Sequence, residues 1–325
     1  MLKKIRMLPF NKLKYSTKTV IAVTNMKINL DLFYQYVPIV NYTFPKKKRG
    51  RKKEGDQSHL QPNKLDYFPV GSVIALKNKK AIRGELPKKH QTAASTFFRN
   101  SVTIQMKIDE NNKFVNGKVC SNGKFQITGC NDEVYAYKFI YYLYELMLTT
   151  SRQIGEEIFT IQKNSVFTTE YPAAIINVVM KNINFKIGFN VNREKLDNYI
   201  RENTDYYSLF LSDLHTCVSI KMEAKQHSEE KLDMVVLKGA NEFEKSLIDF
   251  SVYRLHYDQN KKNEKKKYHT FLVFYSGSVI LSSCGPETEM VYNRFAQIIK
   301  ENQALLREDQ DEVLAIDPSD LLFVE

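Results

Sequence analysis

Phe274-Tyr275-Ser276-Gly277-Ser278-Val279-Ile280-Leu281-Ser282 reads as the turn and return strand of a β-hairpin. A short polar turn ends in glycine, and apolar and polar residues then alternate, the period of a strand with one buried face. An earlier run has the same form: Cys120-Ser121-Asn122-Gly123-Lys124-Phe125-Gln126-Ile127-Thr128-Gly129. Asn122-Gly123 predicts a tight type I′ turn, whose two central residues both need positive φ. Gly123 and Cys130 stand seven apart, as do Gly277 and Cys284, and the two pairs are offset by 154.

Two further patches recur in the same order. Val102-Thr103-Ile104-Gln105-Met106 matches Val218-Ser219-Ile220-Lys221-Met222 at an offset of 116. Ile28-Asn29-Leu30-Asp31-Leu32 matches Ile183-Asn184-Phe185-Lys186-Ile187 at an offset of 155. Three patches in one order predict a duplicated unit, with extra chain inserted at a different point in each copy. In the first copy the spacing predicts a strand over 19–28, a short helix over 29–37 and a strand within 71–77. Strands over 101–108, 114–121 and 124–129 follow, then a long helix over 132–148 that holds no Gly or Pro. The second copy repeats this with a strand over 175–185, a helix over 193–202, strands over 216–222, 268–275 and 278–283, and a helix over 287–302. In each copy the long helix follows a run of three strands, which predicts an α+β fold on an antiparallel sheet.

The copies fall at 19–150, interrupted by an insertion at 44–100, and at 171–302, interrupted at 224–267. A basic segment 1–18 and an acidic tail 303–325 flank them. The chain holds 48 Lys and Arg against 37 Asp and Glu, a net charge of +11, which favours polyanionic partners. Residues 46–53 alone carry +7 and 261–267 carry +4, whereas 304–325 carries −6. Such blocks repel themselves and belong on exposed loops. Arg49-Gly50-Arg51 resembles the centre of an AT-hook, with Lys52 in place of the usual Pro. Pro45-Lys46-Lys47-Lys48-Arg49 equally resembles a nuclear import signal, and a solvated loop is the third reading. The acidic tail reads as a frayed end, as a segment that docks on basic partners, or as one that masks the chain's own basic surface. In helix 132–148, Tyr135, Tyr137, Tyr141, Tyr142 and Tyr144 leave little charge, so the helix is buried on more than one side or offers a partner surface.

Enzyme chemistry finds no foothold. The six histidines show no metal-ligand spacing, and no phosphate-cradling or nucleophile-elbow motif is present. The four cysteines include no C-x-x-C pair, which argues against a disulfide framework or thiolate zinc site. No metal or cofactor is expected. No apolar run reaches the roughly 20 residues of a membrane span, and the Lys-rich start lacks a signal-peptide core. These features predict a soluble intracellular protein without a membrane partner.

The two hairpin runs and the repeated order of strand, helix, three strands and long helix resemble the TATA-box-binding protein (TBP) family. Phe274–Ser282 stands where that family has Phe-x-Ser-Gly-Lys followed by alternating apolar residues, and Cys120–Gly129 stands in the corresponding place of the first copy. The Lys, Asn, Ile, Tyr and Phe usage and the insertions look most like the divergent members in large DNA viruses. The resemblance implies a TBP-like saddle: two pseudo-symmetric repeats forming one curved antiparallel β-sheet, with long helices on the convex side. It implies binding, as a monomer, in the minor groove of A·T-rich promoter DNA, with apolar wedges that unstack base steps. Other initiation factors or an RNA polymerase would be partners, and the nucleus or a cytoplasmic viral factory the location.

Carried over by position, Phe274 keeps one of four wedge positions. Cys120, Ser101 and His215 hold the other three, with Phe97 and Phe98 close by. Gln126 and Thr128, Ile280 and Ser282, Leu272, Val23 and Val178 would floor the groove. Lys107, Lys124 and Lys221 match phosphate contacts, where Ser278 replaces the fourth, and Arg49 and Arg51 would reach a groove from their loop. Thr19 and Ala174 occupy the places of the family's minor-groove asparagines, with Asn177 nearby. The leading reading is a DNA-binding transcription initiation factor. The alternatives are an interaction module of the same fold without sequence-specific DNA recognition, and a nonspecific architectural DNA-binding protein.

Overall fold

The computed structural model describes residues 7–41, 68–78, 81–84, 100–111, 113–214, 216–224, 231–257 and 266–308. The basic run 46–53, most of the run 261–267, Phe97, Phe98, His215 and the tail beyond 308 lie outside them. In chain order the elements are β1 (Tyr15–Thr24), β2 (Met26–Ile28), α1 (Leu30–Tyr36), β3 (Val73–Asn78), β4 (Ala81–Gly84), β5 (Ser101–Lys107), β6 (Phe114–Cys120), β7 (Lys124–Cys130) and α2 (Val134–Ile154). There follow β8 (Phe159–Ile161), β9 (Ala173–Lys186), α3 (Arg193–Asn203), β10 (Tyr207–Leu209), β11 (Val218–Glu223), β12 (Lys231–Leu237) and β13 (Phe243–Asp249). The last are α4 (Phe250–Tyr257), β14 (Tyr268–Val273), β15 (Ser278–Ser283), α5 (Thr288–Glu301) and the short α6 (Gln303–Leu306). This is a mixed α and β protein built on extensive antiparallel sheet.

Packing divides the chain into two compact units. The first comprises residues 17–179 and 228–262, the second 1–16, 180–227 and 263–325. In the first unit the strands lie in the order β1-β7-β6-β5-β3-β4. Strands β5, β6 and β7 bury alternate residues: Val102, Ile104 and Met106, then Val115 and Val119, then Phe125 and Ile127. These meet Phe33 of α1 and Ala136, Phe139, Ile140, Leu143 and Met147 of α2, spaced three and four apart along one helical face. The rim of that face is aromatic, since Tyr135, Tyr141, Tyr142 and Tyr144 pack half-buried against the same core. Close approach needs Gly117, because a Cβ there would lie 2.2 Å from the Phe139 ring. Gly155 ends α2 at φ +73°, its N–H donating to the Ser151 carbonyl.

The span 224–267, expected only as an insertion, folds in part: β12 and β13 form a hairpin and α4 follows it. Strand β12 pairs with the first residues of β9, and the group packs with the first unit. Its Asp233 carboxylate accepts from the Tyr137 hydroxyl of α2 at 2.8 Å, and Lys245 of β13 donates to the same hydroxyl at 3.2 Å.

In the second unit the order is β10-β11-β14-β15, with β15 paired to the last residues of β9. Ile183, Ile220, Phe271, Val279 and Leu281 face α3 and α5, where Leu196, Tyr292, Phe295 and Ile299 close the core. Phe271 stacks on Phe295 with ring centroids 4.3 Å apart.

Hydrogen bonds set the local correspondence between the two units. Thr24 N donates to Gly123 O, and Ile28 N to Ser121 O; Ile187 N donates to Gly277 O, and Val191 N to Tyr275 O. Asn29 caps α1 and Asn192 caps α3, each side-chain oxygen accepting from backbone N–H groups of the first helical turn. The earlier partners stand 163 apart and the hairpin partners 154 apart, while pairing to the hairpins relates β5 to β11 at 116. The offset of 155 for Ile28–Leu32 is therefore corrected. Ile28 ends a strand and Leu30 begins a helix, whereas Ile183–Phe185 lies inside β9.

The turn type is corrected as well. Gly123 N donates to Cys120 O and Gly277 N to Phe274 O, with φ of +74° and +72° at the two glycines. Each loop spans three residues and is closed by a left-handed glycine, rather than being a two-residue type I′ turn.

Candidate nucleic-acid interface

Because strand side chains alternate, each helix-packed sheet has a second face whose residues stay out of the helix-side core. In the second unit, strand pairing sets Leu209, Ser219, Leu272, Ile280 and Asn184 in one row across that face. The next row holds Tyr207, Lys221, Thr270, Ser282 and Asn182. Leu272, Ile280 and Ser282 are half-buried, Tyr207 and Leu209 exposed. Phe274, at the start of the turn, is 37% exposed. Beside it Tyr275 is exposed, with the Arg193 guanidinium 5.8 Å from its ring centre. The Lys221 ammonium lies 5.7 Å from the Tyr207 ring centre. One unit thus brings together five sequence-predicted residues: Phe274, Leu272, Ile280, Ser282 and Lys221.

The corresponding rows of the first unit are more polar. Lys77, Thr103, Lys118, Gln126 and Ile21 form one; Ala75, Gln105, Asn116, Thr128 and Thr19 form the other. Cys120 ends β6 and Lys124 begins β7, on either side of the turn. Burial pushes the Cys120 thiol up, outweighing the opposing pull of Lys124 and Lys118, so the group stays neutral. Four predicted residues, Gln126, Thr128, Lys124 and Cys120, therefore share this face.

Three expected positions are not open on these faces. Lys107 is 1% exposed and its ammonium donates to the Phe68 carbonyl at 2.8 Å, which holds it inside rather than toward a phosphate. Val23 has the right parity but is 3% exposed, in a small cluster with Phe167, Ala173, Ile175, Leu232 and Tyr253. The inserted β12 and α4 supply two of those residues and cover that corner. Val178 points the other way and packs against the helix-side core. It entered through the offset of 155; at 163 the partner of Val23 is Lys186, an exposed residue. Ala174 is likewise buried in the core, and the polar positions of β9 on the helix-free side fall to Asn184, which is exposed, and Asn182, whose Oδ1 is buried. Their Asn-x-Asn spacing was the available signal, obscured by the wrong register. Arg49 and Arg51 lie outside the described residues.

Among the described residues no three His, Cys, Asp or Glu side chains gather as a metal site, and no helix is long and apolar enough to cross a membrane. The nearest approach to a catalytic arrangement is the buried chain His269–Ser283–Thr288. His269 Nδ1 lies 2.7 Å from Ser283 Oγ, which lies 2.8 Å from Thr288 Oγ1. All three are buried between β14, β15 and the start of α5, so the chain ties a helix to its sheet.

No protein-family model matches the chain. It is similar to the uncharacterized protein 335L of Invertebrate iridescent virus 6, at 26% identity over 285 residues that cover 84% of this chain and 78% of that one. Among solved structures it is similar to the TBP of Methanococcus jannaschii, with a TM-score of 0.42 and 10% identity over 89% of this chain and 98% of that chain.

Proposed function

We propose that the chain binds double-stranded DNA through the helix-free faces of its sheets, in the minor groove of A·T-rich promoters, as a TBP-like initiation factor. The carrying observation is the second unit's face: an exposed phenylalanine at a rigid turn, two half-buried aliphatic side chains on adjacent strands, and Lys221 beside them. A sheet protein gains little in solution from leaving Phe274, Tyr207 and Leu209 exposed on one side. A minor groove offers such a face apolar sugar edges, and an aromatic ring a base step to enter. The shared strand order, the shared caps and the matching hairpin bonds support reading the two units as copies of one ancestral unit. The net charge of +11 suits a polyanionic partner.

Val23 and Lys107 favour a second reading in which the fold serves protein contacts, since part of the first unit's face is already covered. Titration of a TATA-containing duplex and a G·C-rich duplex at two salt concentrations separates the two. Preference for the TATA duplex that persists at the higher salt is expected. Equal affinity that collapses with salt would leave only nonspecific phosphate attraction, and no binding would favour the second reading. Phe274→Ala should weaken TATA binding about tenfold or more while circular dichroism stays unchanged, roughly the worth of a buried aromatic side chain. An unchanged affinity removes the wedge.

A further inference from the structure

The faces of the two units differ in chemistry at matching places. Leu272, Ile280 and Thr270 of the second unit are met, 154 residues earlier, by Lys118, Gln126 and Asn116. Gln105 and Asn116 are cross-strand neighbours, Asn116 faces Thr128, and Gln126 lies two residues before Thr128 on the same side of β7. The Gln105, Asn116 and Gln126 side chains are half-buried or exposed, and among the described residues none of their carboxamides is engaged in a protein hydrogen bond.

A carboxamide carries both an acceptor oxygen and donor hydrogens. The minor-groove floor of an A·T pair presents acceptors only, and a G·C pair adds the donor 2-amino group of guanine. An aliphatic side chain against that amino group strips its water and returns no acceptor, which penalises the G·C pair. A glutamine or asparagine can turn its oxygen to the guanine amino group, or its NH₂ to the acceptors of an A·T pair. We propose that the two faces select different base pairs. The Leu272–Ile280 face excludes G·C, whereas the Gln105–Asn116–Gln126 ladder accommodates it, so the preferred duplex is mixed rather than uniformly A·T. This rests on reading both faces as minor-groove surfaces.

Inosine tests the idea, because an I·C pair lacks the 2-amino group and looks like A·T from the minor groove. Binding of the full chain is measured on three duplexes: one of A·T pairs alone, one with interspersed G·C pairs, and one with I·C at those places. Gln126→Leu should lose about tenfold more on the G·C duplex than on the other two. Ile280→Gln should gain on the G·C duplex alone. Asn116→Leu, at an exposed position, repeats the test should Gln126→Leu disturb the strand, and circular dichroism checks each variant. Parent-like ratios in Gln126→Leu and Asn116→Leu, or an I·C duplex that behaves as the G·C duplex does, would overturn the inference and leave minor-groove binding standing. A parent chain that binds none of the three overturns both.

Discussion

Gly277→Ala offers the sharpest test of how the hairpins are held. The residue sits at φ +72°, and a Cβ built there would lie 2.2 Å from the Phe189 carbonyl oxygen, well inside any real contact. The left-handed conformation alone costs a non-glycine residue about 1–2 kcal/mol. Relief of the clash requires the turn to withdraw, yet Ile187 N and Val191 N hold it through the carbonyls of Gly277 and Tyr275, each at 2.8 Å. Losing both bonds adds about 0.5–1.5 kcal/mol apiece. The expected loss is therefore about 2–5 kcal/mol, a large part of the roughly 5–15 kcal/mol that stabilises a typical domain. Gly123→Ala should behave alike, at φ +74° and 2.1 Å from the Met26 carbonyl. Gly155→Ala is the control, because its φ is +73° and a Cβ there meets nothing within 4 Å. It should lose only the left-handed cost, about 1–2 kcal/mol. Urea unfolding followed by far-ultraviolet circular dichroism measures all three. A Gly277→Ala loss no larger than that of Gly155→Ala would refute the claim that the backbone approach locks the turn.

Acid should weaken the fold through His269: burial pushes its pKa below 6.5, outweighing the Glu287 carboxylate 3.7 Å from Nε2. Below pH 6.5 the unfolded chain then binds a proton that the native state refuses, so stability falls as pH drops. His269→Gln should lose less stability than the parent between neutral pH and about pH 5, and parallel pH curves would refute this. Lys107→Met should cost about 1–3 kcal/mol of stability through loss of the hydrogen bond between buried Lys107 and Phe68, with DNA affinity and its salt dependence unchanged. A salt slope lowered by about one unit would restore Lys107 as a phosphate contact.

Much of the fold was legible because its strands bury one face. The alternation in Val102–Met106, Phe125–Thr128 and Val279–Ser282 survives translation into paired strands with little shift at the ends. Strand β13 was illegible for the converse reason: from Phe243 to Asp249 nothing is fully buried, so no period is written into it. The match of Ile28–Leu32 to Ile183–Ile187 misled because a five-residue apolar-polar pattern suits a strand and a helix entry equally well. Hydrogen bonds to the glycine turns carry the register instead. The turn type escaped because a left-handed glycine serves both hairpin geometries, and only the Cys120 and Phe274 carbonyl partners distinguish them. At the candidate interface, Phe274, Leu272, Ile280 and Gln126 could be found from spacing about a turn. Lys107 could not be dismissed, since the carbonyl that takes its ammonium belongs to Phe68, far away in sequence.

The interleaving of the two compact units has a consequence for biosynthesis. The hairpin β12–β13 and α4, which complete the first unit, leave the ribosome only after the chain has already begun the second. The second unit in turn claims the turn near Phe10, made before any of the first unit, whose ring packs on Tyr292 at a centroid distance of 5.7 Å. Neither body can finish during synthesis before at least half of the other has been made, which makes maturation a late event. Expressing either half by a single cut near residue 180 would yield two incomplete pieces, and co-expression of the fragments is the route by which they would recover each other.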